Sequence, residues 1–344
     1  MTEVATATDR EAIIQAFLAR HGWETATRAP LAGDASFRRY ERLIRGNESA
    51  MLMDAPPPRE DVRPFARLAR HLGALGFSAP AIRAEDAASG LLLIEDFGDA
   101  TFSRLLADGG DERALYELAV DVLIALHRLP RHAALAEGLR PYDDETLLTE
   151  AFLLTDWYLP RVMGRPTPAP VRQAYARAWL DAFAALRTQP PTLVLRDYHV
   201  DNLMVLKDRQ GPAACGLLDF QDALAGPAAY DLMSLIEDAR RDVAADLAAA
   251  MRHRYATAFP ELDRSAFDAA FAVLAAQRHA KVIGIFTRLC LRDGKPRYLG
   301  HIPRLWRLLE RALTHPQLAP VAGWFANNIP SERREIPSCP PVAA

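Results

Sequence analysis

The sequence LVLRDYHVDNLMVL, residues 193–206, and the later stretch GLLDFQD, residues 216–222, decide how this chain folds. Each stretch contains a short apolar run that is typical of a buried strand. Asp197 is followed five residues later by Asn202, and Asp219 ends the second apolar run. A strand, a loop and a second strand in this order would supply three oxygen-bearing side chains from one hairpin.

These three side chains match what phosphoryl transfer requires, because its transition state is stabilised mainly by positioning and by neutralisation of charge. Asp197 can orient an acceptor hydroxyl and take its proton. The amide oxygen of Asn202 and the carboxylate of Asp219 are the kind of hard oxygen ligand that Mg²⁺ prefers. The alternative is a polar turn between two strands, since a single aspartate here is more often a turn residue. The spacing and the second strand-end aspartate favour a kinase that uses ATP and Mg²⁺.

The composition is that of an ordinary globular chain, with 344 residues, 50% hydrophobic and 25% charged, and a net charge of -3. This length favours two domains, and the weak negative charge predicts no binding to nucleic acid or to an anionic membrane. We see no secretory signal and no membrane span. Cys215, Cys290 and Cys339 predict neither a metal site nor a disulfide framework, which suits a reducing cytosol. We expect a cytoplasmic protein with no obligate protein partner.

The first hundred residues are strand-rich, and the rest of the chain is mainly helical. The predicted strands are 37–44, 49–54, 81–84, 90–95, 192–195, 202–206 and 215–220. The predicted helices are 60–75, 112–129, 143–159, 171–187, 228–239, 243–258, 264–291 and 301–314. We therefore predict a small N-lobe (1–97), a larger C-lobe (98–326) that holds the catalytic loop and the acceptor site, and a proline-rich tail (327–344).

The loop from Leu195 to Asn202 resembles the catalytic loop H-G-D-x-H-x-x-N of the aminoglycoside phosphotransferase and choline kinase branch of the protein-kinase-like fold, with Leu195 in place of the first histidine. Longer strings are similar to the bacterial anomeric kinases of N-acetylmuramate and N-acetylglucosamine, which act in cell-wall sugar recycling. They are GDASFRRY (33–40), AMLMDAPP (50–57), LRDYHVDNLM (195–204), GLLDFQDA (216–223), GPAAYDL (226–232) and GIFTRL (284–289). The resemblance implies an α+β, bilobal protein-kinase-like fold over roughly residues 10–326.

The resemblance also implies roles for single residues. Asp197 would be the catalytic base, and Asn202 and Asp219 would be the metal ligands. Asp231 matches a family aspartate that braces the catalytic loop, although a cap at a helix start is an equal alternative. His199 could orient Asp197 or the loop, or could simply be a buried histidine with satisfied hydrogen bonds.

The nucleotide would lie against the first hairpin and the lobe junction. Gly33 and Ser36 belong to a turn whose N–H groups could approach phosphate oxygens, and Arg38 could bind phosphate bidentately. Backbone groups near Glu95 and Phe97 would face the adenine. Protein kinases also carry a lysine on their third strand, which is absent from this sequence. Either Arg38 or another basic group compensates, or nucleotide binding is weak, or the site is inactive.

The acceptor site is predicted on helices of the C-lobe. Glu150 and Trp157 belong to an acidic and aromatic face that could bind an amine or stack on a sugar, although a solvated helix face is the simpler alternative. Arg278 and Lys281 share one side of a later helix and would suit a carboxylated sugar. The preferred acceptor is the anomeric hydroxyl of N-acetylmuramate or N-acetylglucosamine. The alternatives are a kinase of an amino alcohol or aminoglycoside, and a nucleotide-binding pseudokinase.

Overall fold

The computed structural model describes residues 7–31 and 38–339. The strands in this part of the chain are β1 (Thr27–Pro30), β2 (Arg39–Arg45), β3 (Glu48–Asp54), β4 (Ile82–Asp86), β5 (Leu91–Ile94), β6 (Pro191–Val194), β7 (Leu203–Val205), β8 (Cys215–Leu217) and β9 (Leu224–Pro227). The first seven α-helices are α1 (Ala7–Arg20), α2 (Arg63–Ala74), α3 (Phe102–Ala107), α4 (Glu112–His127), α5 (Arg131–Ala134), α6 (Asp144–Leu153) and α7 (Leu159–Met163). They are followed by α8 (Ala169–Ala182), α9 (Ala229–Ile236), α10 (Ala245–Thr257), α11 (Arg264–Asp293), α12 (Ile302–Leu313) and α13 (Ala319–Asn328).

The chain divides into two compact units. One contains the residues up to Glu112 together with Val200–Asp222, and the other contains Arg113–His199 and the chain from Ala223 onward. The strand-rich first unit and the mainly helical second unit have the composition that the sequence predicts. The lobe limits 1–97 and 98–326 remain a prediction, and the contact-based division differs from them by placing the β7–β8 hairpin in the first unit.

The first unit is built on an antiparallel sheet with the strand order β1-β2-β3-β5-β4. Side chains alternate across the faces of a sheet, so Leu43, Ala50 and Leu52 lie on one face with the apolar residues of α1, including Phe17. On the opposite face, Met53 pairs with Tyr40 of the neighbouring strand. The β7–β8 hairpin belongs to the same unit, where β7 and β8 pair antiparallel.

The second unit is organised around α11, whose middle turns are almost entirely buried. Helix α11 is long and apolar enough to cross a membrane, but 83% of its most apolar window is covered by the protein itself, as expected of a core helix. Gly284 of α11 allows a close approach, because a Cβ atom there would lie 2.2 Å from the carbonyl carbon of Leu153. Leu153 ends α6, and a π-helical turn, Leu154–Tyr158, directly follows it in the chain.

Several predicted elements differ from the structure in instructive ways. The predicted helix 143–159 is α6 continued by the π-helical turn. Helix α1 was not predicted, although Ile13, Ile14, Phe17 and Leu18 follow helical spacing and three of them are buried. Strand β9 was not predicted either, because Gly226 and Pro227 have the composition of a turn.

The cysteines and the tail also differ from expectation. Cys290 of α11 is disulfide-bonded to Cys339, with Cα atoms 5.7 Å apart. The sequence predicts no disulfide framework, and this pair leaves no local signal in the sequence because its cysteines are 49 positions apart. The last helix extends to Asn328, beyond the predicted start of the tail. A 3₁₀ turn, Ser331–Arg333, follows this helix. The chain after the turn is held by a hydrogen bond from Tyr158 Oη to the carbonyl oxygen of Glu335 at 2.9 Å.

Candidate active site

The loop after β6 is fixed by a buried carboxylate. Asp231, in the first turn of α9, is fully buried and accepts hydrogen bonds from the N–H groups of Leu195 at 2.6 Å and Arg196 at 2.9 Å. Burial raises the pKa of Asp231 to about 7, although the two N–H donors lower it. The residue at the helix N-cap is Ala228, which has no side-chain cap. Of the two roles considered for Asp231, the contacts are those of a loop brace.

Arg196 is held in an unusual backbone conformation. Among the described residues that are not glycine, Arg196 (φ 70°) and Asp219 (φ 58°) have positive φ angles. Such conformations cost on the order of 1–3 kcal/mol and are concentrated at functional sites. The carbonyl oxygen of Arg196 accepts a hydrogen bond from Arg278 Nη1 at 3.2 Å, while its guanidinium group pairs with Glu150. Both ends of Arg196 are therefore anchored within the second unit.

Asp197 lies between this anchored backbone and solvent. Its side chain is 41% exposed, and Oδ1 lies 3.7 Å from Nη2 of Arg278. Burial alone would raise the pKa of Asp197, but the charges of Arg278 and Lys281 outweigh it and lower the pKa below its ordinary value. His199 is buried beside Arg240, with Nε2 and Nη1 3.3 Å apart, and burial lowers its pKa. Asp197 is thus an ionised, accessible carboxylate, as a general base requires.

Glu150 is the centre of a buried ionic network. The Glu150 carboxylate accepts hydrogen bonds from Lys281 Nζ at 2.8 Å, from Tyr142 Oη at 2.5 Å and from Gln277 Nε2 at 3.1 Å. It also pairs with the guanidinium group of Arg196. Burial alone would raise the pKa of Glu150, but these partners lower it to about 2. The network combines one buried carboxylate with two cations, Arg196 of the loop itself and Lys281 of α11.

This network bears on the residues predicted to bind the acceptor. Glu150 and Lys281 pair with each other, and Arg278 pairs with Asp197. Trp157 lies in the π-helical turn and is partly buried. A direct contact between any of these four residues and an acceptor remains a prediction, because the contacts found are those that support the loop.

The candidate metal ligands lie on the β7–β8 hairpin. The N–H of Leu218 donates to the carbonyl oxygen of Asn202 at 2.9 Å, so the backbone of Asn202 adjoins the residue that precedes Asp219. The Asp219 side chain is 46% exposed, and its Oδ1 accepts a hydrogen bond from Gln221 Nε2 at 2.8 Å. Asn202 directly precedes β7, and Asp219 follows the end of β8. Amide and carboxylate oxygens in these positions are ligands that suit Mg²⁺.

Only some of the residues predicted to bind nucleotide lie in the described part of the chain. Gly33 and Ser36 lie outside the described residues. Arg38 Nε lies 3.3 Å from Glu60 Oε2, and Arg38 Nη1 lies 3.7 Å from Asp219 Oδ1. These are ion-pair distances, and they place Arg38 next to a predicted metal ligand.

The segment with Glu95 and Phe97 is held by its side chains. The Glu95 carboxylate pairs with Arg209 and accepts from the N–H of Ala81 at 3.2 Å. Phe97 packs so closely on Gly216 that a Cβ atom there would lie 2.9 Å from the Phe97 ring. A cavity of about 280 Å³ lies beside the segment, lined by Glu95, Asp96, Phe97, Ala100, Val205, Leu206, Lys207, Asp208 and Arg209. Glu95 is held in an ion pair and Phe97 in packing. A contact between the backbone of this segment and adenine stays a prediction.

A model of the phosphotransferase enzyme family matches residues 27–267, which is more than half of the chain. This chain belongs to the phosphotransferase enzyme family. Two similar members are named N-acetylmuramate/N-acetylglucosamine kinase. The one from Caulobacter vibrioides is 38% identical over 95% of this chain and 98% of its own length. The one from Pseudomonas aeruginosa is 40% identical over 87% of each chain. The family resemblance drawn from the sequence is confirmed.

Solved structures of the phosphotransferase family confirm the fold class. The GDP complex of aminoglycoside 2′-phosphotransferase-IIIa aligns with a TM-score of 0.60 and covers 88% of this chain and 98% of the other. The identity is 12%, so this likeness concerns the fold.

Several residues that contact this candidate site could not be identified from the sequence alone. Arg196 could have been noticed as a cation directly before Asp197, but its partner Glu150 lies 46 positions away. Glu60 precedes α2 in a stretch of mixed charges that resembles a solvated turn. Tyr142 and Gln277 look like ordinary core or surface residues until the fold brings them to Glu150.

Proposed function

We propose that this phosphotransferase is an ATP-dependent kinase of the anomeric hydroxyl of N-acetylmuramate, N-acetylglucosamine or both, acting in the cytoplasm in cell-wall sugar recycling. The observation that carries the proposal is the 38% identity, over nearly the whole chain, to a kinase named for these two sugars. The braced loop and the accessible Asp197 support it, since they meet the geometric needs of a general base. The proposed partners are small molecules only.

The transfer would begin at Asp197. Its carboxylate accepts the proton of the anomeric hydroxyl while the sugar oxygen forms a bond to the γ-phosphorus of ATP. The bond from that phosphorus to the β,γ-bridging oxygen breaks, and ADP leaves. A hemiacetal hydroxyl is more acidic than an ordinary alcohol, so a carboxylate with a low pKa suffices.

Asn202 and Asp219 would hold Mg²⁺, and their oxygen donors fit that ion. When bound, the ion neutralises charge on the phosphates. The chain's own contribution is to present the Asp219 carboxylate, half-exposed on the β7–β8 hairpin. Gly33, Ser36, Arg38 and the segment at Glu95 and Phe97 would bind the nucleotide.

The acceptor would be recognised next to Asp197. Trp157 is proposed to contact the sugar ring, and Arg278 and Lys281 are proposed to supply positive charge near a carboxylated acceptor. Because both cations are buried and paired, this charge would act mainly through the loop. Glu150 would also act through the loop, since its carboxylate already accepts hydrogen bonds from surrounding donors.

The test is an acceptor panel with ATP and Mg²⁺, in which release of ADP is measured for N-acetylmuramate, N-acetylglucosamine, choline and an aminoglycoside. We expect turnover with at least one of the amino sugars. Turnover confined to choline or the aminoglycoside would replace the proposed acceptor. Nucleotide binding with no turnover of any acceptor would favour the pseudokinase alternative.

A further inference from the structure

Strand β3 lacks the positive charge that a kinase site needs beside the nucleotide. It has the sequence ESAMLMD, whereas protein kinases carry a lysine on this strand that pairs with the nucleotide phosphates and with a glutamate of the neighbouring helix. Met53 lies opposite Tyr40 in the sheet, and Met51 lies opposite Arg42. This face of β3 is therefore apolar, and the charge has to come from another element.

Arg38 comes directly before β2 and lies on this same face. It precedes Tyr40 by two residues, and side chains two apart along a strand point to the same side. The Arg38 side chain is only 13% exposed and lies 3.3 Å from the carboxylate of Glu60 and 3.7 Å from that of Asp219. One partly buried guanidinium group thus joins a carboxylate before α2 to the proposed metal ligand.

The position of Glu60 is reinforced by packing. Helix α2 begins three residues after Glu60, and its Phe65 stacks on Phe220 with ring centroids 4.9 Å apart. Phe220 directly follows Asp219, so α2 and the end of the β7–β8 hairpin are packed together. The Glu60 side chain is 18% exposed. The ion pair therefore belongs to a packed corner of the first unit.

The other arginines nearby are less suited to this role. Arg42 is on the same face, but it donates to Asp96 at 3.1 Å, to Asp99 at 3.0 Å and to the carbonyl oxygen of Gly98 at 2.9 Å, which fixes the segment after β5. Arg39 is 72% exposed and alternates onto the opposite face. Arg38 is the arginine of this group whose two ionic partners include Asp219.

We propose that Arg38, positioned by Glu60, supplies to the nucleotide phosphates the charge that a third-strand lysine supplies in protein kinases. This inference rests on the proposed ATP-dependent kinase function. An arginine suits the task because its planar fork can bind a phosphate bidentately while another of its edges pairs with a carboxylate. The pair of Arg38 and Glu60 thereby takes the place of the lysine and glutamate pair.

The test is calorimetry of ADP with Mg²⁺ and of adenosine, on the full chain and on variants. We expect Arg38→Met to weaken ADP binding on the order of 10- to 100-fold, the range for losing a charge-assisted hydrogen bond, with adenosine binding unchanged. Arg38→Lys should give an intermediate loss, because the charge remains without the fork. Glu60→Gln should weaken ADP binding several-fold, with circular dichroism like that of the wild type.

Arg39→Met is the matched control, since it removes the same charge one residue away from a side chain that is exposed to solvent. It should bind ADP like the wild type. Equal ADP affinities for the Arg38→Met and Arg39→Met variants, or for Arg38→Lys and the wild type if Arg38→Met does not fold, would overturn the inference. A wild-type protein that binds neither ADP nor ATP would instead overturn the proposed kinase function on which it rests.

Discussion

The two units of the chain each contain a cluster of charged side chains, and the clusters differ in burial and bond length. In the second unit, Glu150 is 9% exposed and receives donors at 2.5 to 3.1 Å. In the first unit, Asp219 is 46% exposed and lies 3.7 Å from Arg38. The buried carboxylate has its charge balanced by cations at short distance, whereas the exposed one is open to solvent and lies farther from the Arg38 guanidinium group.

This difference separates two tasks. A buried ion pair cannot lose a partner without leaving an uncompensated charge, so it holds its surroundings in one arrangement. A partly exposed pair at a long distance has little to lose when an ion or a phosphate replaces one partner. We therefore propose that the Glu150 cluster holds the loop with Asp197 in place, and that the Arg38 cluster responds to the nucleotide.

The largest effect on kcat is expected at Asp197, the proposed base on the loop that the Glu150 cluster supports. Asp197→Asn should lower kcat about 10²- to 10⁴-fold, the contribution of a general base, because an amide of the same shape cannot take the proton. The free energy of unfolding should change little, since the side chain is 41% exposed. Kinetics with saturating acceptor and urea unfolding measure the two quantities.

Asp201→Asn is the matched control for that variant, because Asp201 is an exposed aspartate of the same loop. Its kcat should stay within about twofold of the wild type, the size of a surface change. An equal loss in both variants would mean that the loop responds to any lost charge, and Asp197 would have no special role.

The next effect contrasts the two clusters directly. Lys281→Met should lower the free energy of unfolding by about 3–5 kcal/mol, because it leaves the buried Glu150 charge under-compensated. Glu60→Gln in the first unit should cost less, because the amide oxygen of glutamine can still accept a hydrogen bond from Arg38 and Arg38 keeps Asp219 as an ionic partner. Urea unfolding followed by circular dichroism measures both. Similar losses in the two variants would remove the distinction between a rigid and a responsive cluster.

The smallest effect is a shift in pH dependence. Because Arg278 lowers the pKa of Asp197, the acid limb of kcat/KM in the wild type should lie below the ordinary aspartate value of about 3.9. Arg278→Met should raise that pKa and move the limb to higher pH, while Arg278→Lys should largely restore it. An unshifted limb in Arg278→Met would show that Arg278 supports the loop only mechanically, through the carbonyl oxygen of Arg196.

The sequence is informative where the chemistry is local. Asp197, Asn202 and Asp219 were proposed as site residues because they flank short apolar runs at a fixed spacing, and Asp231 because it matches a family pattern. The partners of Glu150 could not be found in this way, since Lys281 lies 131 positions from it and the pairing depends on how α6 meets α11. Hydrophobic periodicity predicted those helices, but it contains no information about which buried charges they bring together.

The turn with Gly33 and Ser36 is a case in which a sequence-based prediction has no structural counterpart among the described residues. Its role was inferred from resemblance and lies outside the described residues, so it stays a prediction. Arg38, which follows that turn, was one of several candidates for the missing lysine. Its ion pairs with Glu60 and Asp219 are a tertiary property, because the three residues are far apart in sequence.

The most direct test of the kinase assignment is the position of the phosphate on the product. Phosphorus NMR should be recorded after incubation of the wild-type protein with ATP, Mg²⁺ and N-acetylglucosamine, beside a matched reaction with its methyl glycoside, whose anomeric oxygen is blocked. We predict a sugar phosphate whose phosphorus couples to the anomeric proton, and no product from the glycoside. Phosphate on any other hydroxyl, or phosphorylation of the glycoside, would contradict the account.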